Sequence, residues 1–192
     1  MLARAFADDP VMTFLTPGDR QRPRRLRRFF GRLLSGVVLP YGEVTVTDDL
    51  ASAALWSPPN PPAILAALHA TEPVGLELRD FWPLLRVATS LGRASFRRRN
   101  PMADAYRAAP SVPYWYLMVL GTEPSRQGQG LGSAVLAPVL ARCDRDGVPA
   151  FLESSKERNV PFYRHHGFEV TKEVTLAEDG PRVWCMERAP GA

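Results

Sequence analysis

Apolar residues at Leu26, Phe29, Phe30, Leu33, Leu34 and Val37 recur at the i, i+3, i+4, i+7, i+8 spacing of one helix face, and the arginines between them fall on the other. The spacing predicts a helix over 20–38. After Pro40 and Gly42 the period shortens: EVTVT (43–47) alternates as a strand, Asp48-Asp49 turns the chain, and ASAALW (51–56) is the partner strand of a β-hairpin. SPPNPP (57–62) ends it, because a proline has no N–H to give to a ladder or an inner helical turn. Helical text returns over 63–100 in two or three pieces, interrupted at Pro73-Val74-Gly75 and bent near Pro83. Leu76, Leu84, Leu85, Val87, Ala88 and Leu91 are its expected core contacts.

Pro110 and Pro113 bracket the next boundary. WYLMVL (115–120) is a nearly continuous apolar run, suited to a strand covered on both faces. GTEPSRQGQGLG (121–132) follows, then a helix expected to end near Gly147 and to be perturbed at Pro138. PAFLES (149–154) reads as a short buried strand, a helix follows Asn159, and FEVTKEVTL and RVWCMER form a last strand pair around Glu178-Asp179-Gly180-Pro181. Strand, glycine-rich loop, helix and strand in succession imply one right-handed parallel crossover in a sheet that is otherwise antiparallel. The expected class is therefore α/β in the mixed sense, with flanking helices.

At 192 residues, one domain is expected over 1–192, with a helical segment at 58–110 and a core at 114–176. A composition 45% hydrophobic and 23% charged is that of a globular chain, which excludes overall disorder. No apolar run approaches the ~18 residues of a membrane span, and MLARAFADDP has no signal-peptide core, so the expected location is cytoplasmic with no membrane partner. Cys143 and Cys185 are too few and too far apart for a zinc site or a disulfide framework, and no metal is expected. The net charge of +4 comes almost wholly from arginine, only Lys156 and Lys172 being lysines. The clusters RQRPRRLRR (20–28) and FRRR (96–99) raise nucleic acid as a rival partner, but they leave the glycine-rich loop unexplained.

That loop carries the chemistry. In Gln127-Gly128-Gln129-Gly130-Leu131-Gly132, glycines let the backbone approach a bulky anion, and the free N–H groups of the helix that follows point at it. A Walker loop would need a lysine before Ser133, and a dinucleotide fold would put the loop after the first strand rather than two thirds along the chain. A glycine-rich turn without a ligand is the plain alternative.

Gln127-x-x-Gly130-x-Gly132 at a strand-to-helix junction, followed by Asn159-x-Pro161-Phe162-Tyr163 and Gly167-Phe168, resembles the GNAT superfamily of acyl-CoA N-acyltransferases. A closer likeness within it runs through AFAD (5–8), GLGSAV (130–135), GVPAFLE (147–153) and WCM (184–186), dense only after Pro113. The resemblance implies a mostly antiparallel sheet in which the strands at 115–122 and 149–154 splay into a V that admits acetyl-CoA. Backbone groups of Leu120, Gly121 and Thr122 would pair with its pantetheine arm. Gln127, Gly128, Gln129, Gly130, Leu131, Gly132 and Ser133 would hold the pyrophosphate, with Arg126 within reach of a CoA phosphate and Asn159 bonding the pantetheine or capping the last helix.

An amine acceptor with a pKa of about 10.4 is almost wholly protonated at neutral pH, so a base must collect its proton before it attacks a thioester. Glu153, ending an apolar strand, is the candidate base, directly or through water. Tyr163, a phenol in the position that the resemblance places near the CoA sulfur, is the candidate acid. His165, His166 and His69 are expected to be structural, and both cysteines to be small apolar fillers.

The implied activity is transfer of an acetyl group from acetyl-CoA to a primary amine, small-molecule or peptide. A catalytically idle CoA-binding module is the alternative. The superfamily pattern opens with a strand before the equivalent of AFADDP, whereas this sequence opens within the helix, so the first strand is expected to be missing. The hairpin edge this leaves would be covered by a second copy of the chain in a homodimer.

Overall fold

The computed structural model describes residues 1–17, 20–69, 73–92, 102–176 and 180–191. Its six-stranded sheet consists of β1 Glu43–Val46, β2 Ser52–Ser57, β3 Trp115–Thr122, β4 Ala150–Ser154, β5 Glu169–Thr175 and β6 Arg182–Arg188, in the order β1-β2-β3-β4-β6-β5. Every neighbouring pair is antiparallel except β3 and β4. This is the expected mixed α/β sheet. Among the described residues no strand precedes β1, which lies at the sheet edge. The FRRR cluster and part of the β5–β6 turn lie outside the described residues.

Among the described residues the helices flanking the sheet include α1 Leu2–Ala5, α2 Pro10–Leu15, α3 Arg22–Leu33, α4 Ala63–Ala66, α5 Leu78–Ala88, α6 Ala103–Tyr106, α7 Leu131–Asp146 and α8 Val160–His165. β2 is buried at all six positions because both of its faces are covered. Ala53 and Leu55 pack with Leu26, Phe30 and Leu33 of α3, while Ala54 and Trp56 pack with Val135, Leu136 and Val139 of α7. α3 continues past Leu33 as a wide π turn, Leu34–Val38, and a last turn, Leu39–Tyr41. Pro40 offers no N–H to the ladder, which accounts for the irregular turn before it.

Three expectations need correction. The arginines of α3 are only partly a solvated face: Arg22 donates to the Thr16 carbonyl, Arg25 to that of Leu91 and Arg32 to that of Arg86, so they tie α3 to its neighbours. In the helical block, Leu76 is 44% exposed and Ala88 is exposed, whereas Val87 and Leu91 are buried and Leu84 and Leu85 half-buried. Leu76 misses the core because α5 starts only after Glu77, where Glu77 and Asp80 form a reciprocal cap, leaving Leu76 in the lead-in strand of chain. α7 runs through Pro138 without interruption and ends at Gly147, whose φ of +68° suits a residue without a side chain.

Candidate active site

β3 and β4 pair at only three positions, Trp115 with Ala150, Tyr116 with Phe151 and Leu117 with Leu152. Beyond Leu117, β3 stays paired with β2 through Val119, Leu120, Gly121 and Thr122 while its other edge diverges from β4. The V so formed opens a cavity of about 430 Å³, walled by Leu120, Gly121 and Thr122 on one side and Ser154, Ser155 and Asn159 on the other. Gly121 sits at a close approach: a Cβ there would lie 2.7 Å from Leu2 Cδ2 in α1, so that side chain would have to shift.

The glycine-rich loop closes one end. Gly128 and Gly130 have φ of +76° and +77°, a region that L side chains rarely adopt, and nothing crowds the space where their Cβ atoms would stand. Gly130 turns the chain into α7, whose first N–H groups have no partner within the helix and belong to the cavity wall at Leu131, Gly132 and Ser133. Gln127 and Arg126 also line the cavity; Gln129 does not, its side-chain oxygen accepting from Arg126 Nε at 2.8 Å. Arg126 Nη1 reaches Asp49 at 2.9 Å, so this guanidinium is pinned between the loop and the hairpin turn. The Ser133 hydroxyl is 2.9 Å from His166 Nε2. Asn159 starts α8 and its side chain makes no capping bond.

Glu153 stands at the deep end of the V. Its Oε2 accepts from the Tyr116 hydroxyl at 2.8 Å, and its Oε1 is buried without a partner. Burial pushes the carboxyl up to about 8, the Tyr116 bond pulling weakly the other way. Tyr163, on α8, lines the same cavity with its ring against Phe162 and Phe168. Burial, with a smaller effect from Asp9, holds its hydroxyl above the ordinary phenol range.

Three residues at this point were not singled out from sequence. Asp9 caps α2 through the Met12 N–H at 2.9 Å and accepts a hydrogen bond from the Ser155 hydroxyl. An aspartate before a proline reads as a helix cap, but nothing local says that it will also meet β4's end. Tyr116 sat inside a run read as plain core. Next to Asp9, Asp8 pairs with Lys156 at 2.6 Å and Arg158 at 3.2 Å, and burdened with these two bonds its carboxyl is held below the usual range.

A second cavity, also about 430 Å³, lies on the far side of Glu153 and shares Phe6, Asp9, Met118, Val119, Glu153 and Ser155 with the first. The histidines line neither cavity. His69, 3.1 Å from the Ser57 hydroxyl and edge-on to Tyr116, is lowered to about 4 by burial and so is neutral near pH 7. Cys143 and Cys185 are buried thiols, pushed up to about 11 and about 12. Among the described residues no group of three or more His, Cys, Asp or Glu is placed to hold a metal ion, and no helix is long and apolar enough to cross a membrane.

Beside this geometry, a splayed parallel pair next to a glycine-rich helix start, stand the likenesses to known proteins. Residues 102–189 match the acetyltransferase (GNAT) domain family. An uncharacterised N-acetyltransferase of Schizosaccharomyces pombe is 27% identical over 195 residues, covering 95% of this chain and 73% of that protein. A mycothiol acetyltransferase of Brachybacterium faecium is 31% identical over 98 residues, half of this chain and 28% of the relative. Among solved structures, one described as histone acetyltransferase HPA2 and related acetyltransferase from Corynebacterium glutamicum superposes with a TM-score of 0.65 at 20% identity, covering 100% of this chain and 88% of its own. Residues 102–189 therefore resemble the acetyltransferase (GNAT) domain family, and the chain as a whole shares the fold of the Corynebacterium glutamicum structure.

Proposed function

We propose that the protein transfers an acetyl group from acetyl-CoA to a primary amine by direct attack, without a covalent enzyme intermediate. The observation that carries this reading is the position of Glu153: it stands where the two cavities meet, one carboxylate oxygen held by Tyr116 and the other buried and unpartnered. A lone buried carboxylate oxygen is costly unless a donor arrives, and an incoming ammonium is such a donor.

In this reading acetyl-CoA lies in the V, its pantetheine arm along the free edge of Leu120, Gly121 and Thr122 and its pyrophosphate on the loop from Gln127 to Ser133. Gly128 and Gly130 shape that cradle, and the N-terminal amides of α7 meet the negative charge. Glu153 takes a proton from the amine; a pKa near the working pH is suited to that role. The amine nitrogen bonds to the acetyl carbon, the C–S bond breaks, and Tyr163, protonated because burial keeps it so, supplies a proton to the departing sulfur; the second proton that the nitrogen sheds as the amide forms restores the phenol through solvent. Asn159 would meet the pantetheine arm.

The acceptor is a small amine such as an aminonucleoside or another antibiotic-like molecule, or a peptide amine. The phrases AFAD, GLGSAV and WCM are those in which the chain resembles puromycin N-acetyltransferase, so puromycin belongs in the first panel. The test is a thermal-shift titration with acetyl-CoA followed by an acetyl-CoA consumption assay over amines. A shift with amine-dependent consumption supports the proposal. A shift without consumption for any amine indicates an idle CoA-binding module, and salt-dependent DNA affinity without a shift indicates a nucleic-acid-binding protein.

A further inference from the structure

We infer that the acceptor is a primary amine carried on an uncharged, aromatic or otherwise apolar body, which fills the second cavity while its nitrogen lies at Glu153. The inference rests on the proposed transfer reaction and says what that reaction's second substrate must look like.

The cavity is built by elements far apart in the sequence: Val11, Met12 and Leu15 from α2, Phe29, Phe30 and Leu33 from α3, and Val87 and Leu91 at the end of α5, closed below by Tyr116 and Met118 of β3. Among the described residues its wall contains no arginine or lysine, and its only ionisable carboxyls are Asp9 and Glu153. Both lie on the boundary shared with the first cavity. Among the described residues, charge is therefore offered at one end only. An amine nitrogen has a partner there, whereas a second ammonium further in would be desolvated with none. The Tyr116 hydroxyl is already committed to Glu153, so a hydroxyl-rich sugar would find few partners among these walls.

The apolar lining also has a chemical character. Three of the chain's five methionines, Met12, Met102 and Met118, face this space with Phe29, Phe30 and Tyr106. Unbranched thioethers adapt to ligand shape and contact ring edges favourably, and aromatic walls take rings edge-on or offset. The reaction stays balanced as before: the amine nitrogen gains the acetyl carbon, one of its protons passes to Glu153 and the second restores the Tyr163 phenol through solvent, and CoA leaves as the thiol with the proton Tyr163 gave it.

The test compares 2-phenylethylamine and tryptamine with spermidine and a lysine-containing peptide as acceptors, at saturating acetyl-CoA. The aryl amines are expected to show kcat/KM at least about tenfold higher, the factor expected from burying one aromatic group. Ala88→Trp fills the cavity from its exposed rim on α5, where folding is not at stake. It should lower kcat/KM for tryptamine about tenfold and leave the acetyl-CoA thermal shift unchanged.

Preference for spermidine or the peptide overturns the inference and leaves the transfer reaction standing. So does faster turnover of phenylacetyl-CoA than acetyl-CoA with a small polar amine, abolished by Ala88→Trp, which would give the cavity to the donor's acyl group. An acetyl-CoA shift with no amine acetylated counts against both proposals, and no shift at all overturns the transfer reaction itself.

Discussion

Two cavities of equal volume meet at Glu153, and they are made of different material. The V includes features set by the backbone: a strand edge left unpaired by β4, two glycines at positive φ and the first turn of α7. The second cavity is lined mainly by apolar residues, which among the described residues come mostly from four helices and from β3 and β6. Backbone recognises what all substrates of a class share, such as a pyrophosphate, and its requirements appear as glycines in a fixed spacing. Side chains recognise what differs between substrates, and any bulky apolar residue serves. The family match, residues 102–189, takes in the first cavity's loop and the helix after it and stops short of α2, α3 and α5, which supply one side of the second.

The sharpest way to test the boundary between the two is Glu153, which belongs to both. Glu153→Gln is expected to lower kcat about 10²- to 10⁴-fold, the range for loss of a general base, with acetyl-CoA affinity unchanged. In the wild type kcat should rise with pH through a limb near 8, because the carboxyl must ionise to act, and the limb should vanish in the variant. A wild-type profile flat between pH 6 and 9 would remove Glu153 from the base role. Stability carries the same signature. A carboxyl raised from 4.5 to about 8 on folding stabilises below 4.5, and that contribution is lost as pH rises through 8. His69, lowered to about 4, has the opposite sign, its contribution being present above 6.5 and lost toward 4. Denaturant unfolding of wild type and Glu153→Gln isolates the first: their difference should change by roughly 1.4 kcal/mol per pH unit between 6.5 and 8.

Gly130→Asp attacks the V alone. An aspartate at φ +77° is strained and sets a carboxylate against an anion, so acetyl-CoA affinity should fall at least about tenfold, as read by calorimetry. Unchanged binding would refute the cradle. Tyr163→Phe is milder: turnover should fall about tenfold with CoA affinity preserved, in line with the modest worth of one well-placed proton donor. The smallest effect belongs to Tyr116→Phe, in the wall of the second cavity. Its hydroxyl lowers the Glu153 pKa, so removing it should shift the kcat limb to more alkaline pH, with a few-fold loss at pH 7. A purely structural Tyr116 would lower activity without moving the limb.

How far each region could be read from the sequence follows the same division. The α3 face, the hairpin at 43–56, the strand at 115–122 and the loop into α7 all rest on local spacing and glycine chemistry, and all are found where the periodicity put them. The helical block was legible only in outline, because Pro73 to Glu77 delays α5 and leaves Leu76 outside the core. Asp9 and Ser155, 146 positions apart, meet through the docking of α1 and α2 on the mouth of the V, which no local pattern encodes.

By itself the sequence determined the elements, the mixed sheet with one parallel crossover, and the glycine-rich helix start, since these depend on neighbours within a few residues. Only the tertiary structure decided that β3 and β4 part after three pairs, that Glu153 keeps one buried oxygen free, and that an apolar cavity opens behind it. Those features arise from contacts between distant segments, where burial, rather than the order of residues, sets the chemistry of a carboxyl group.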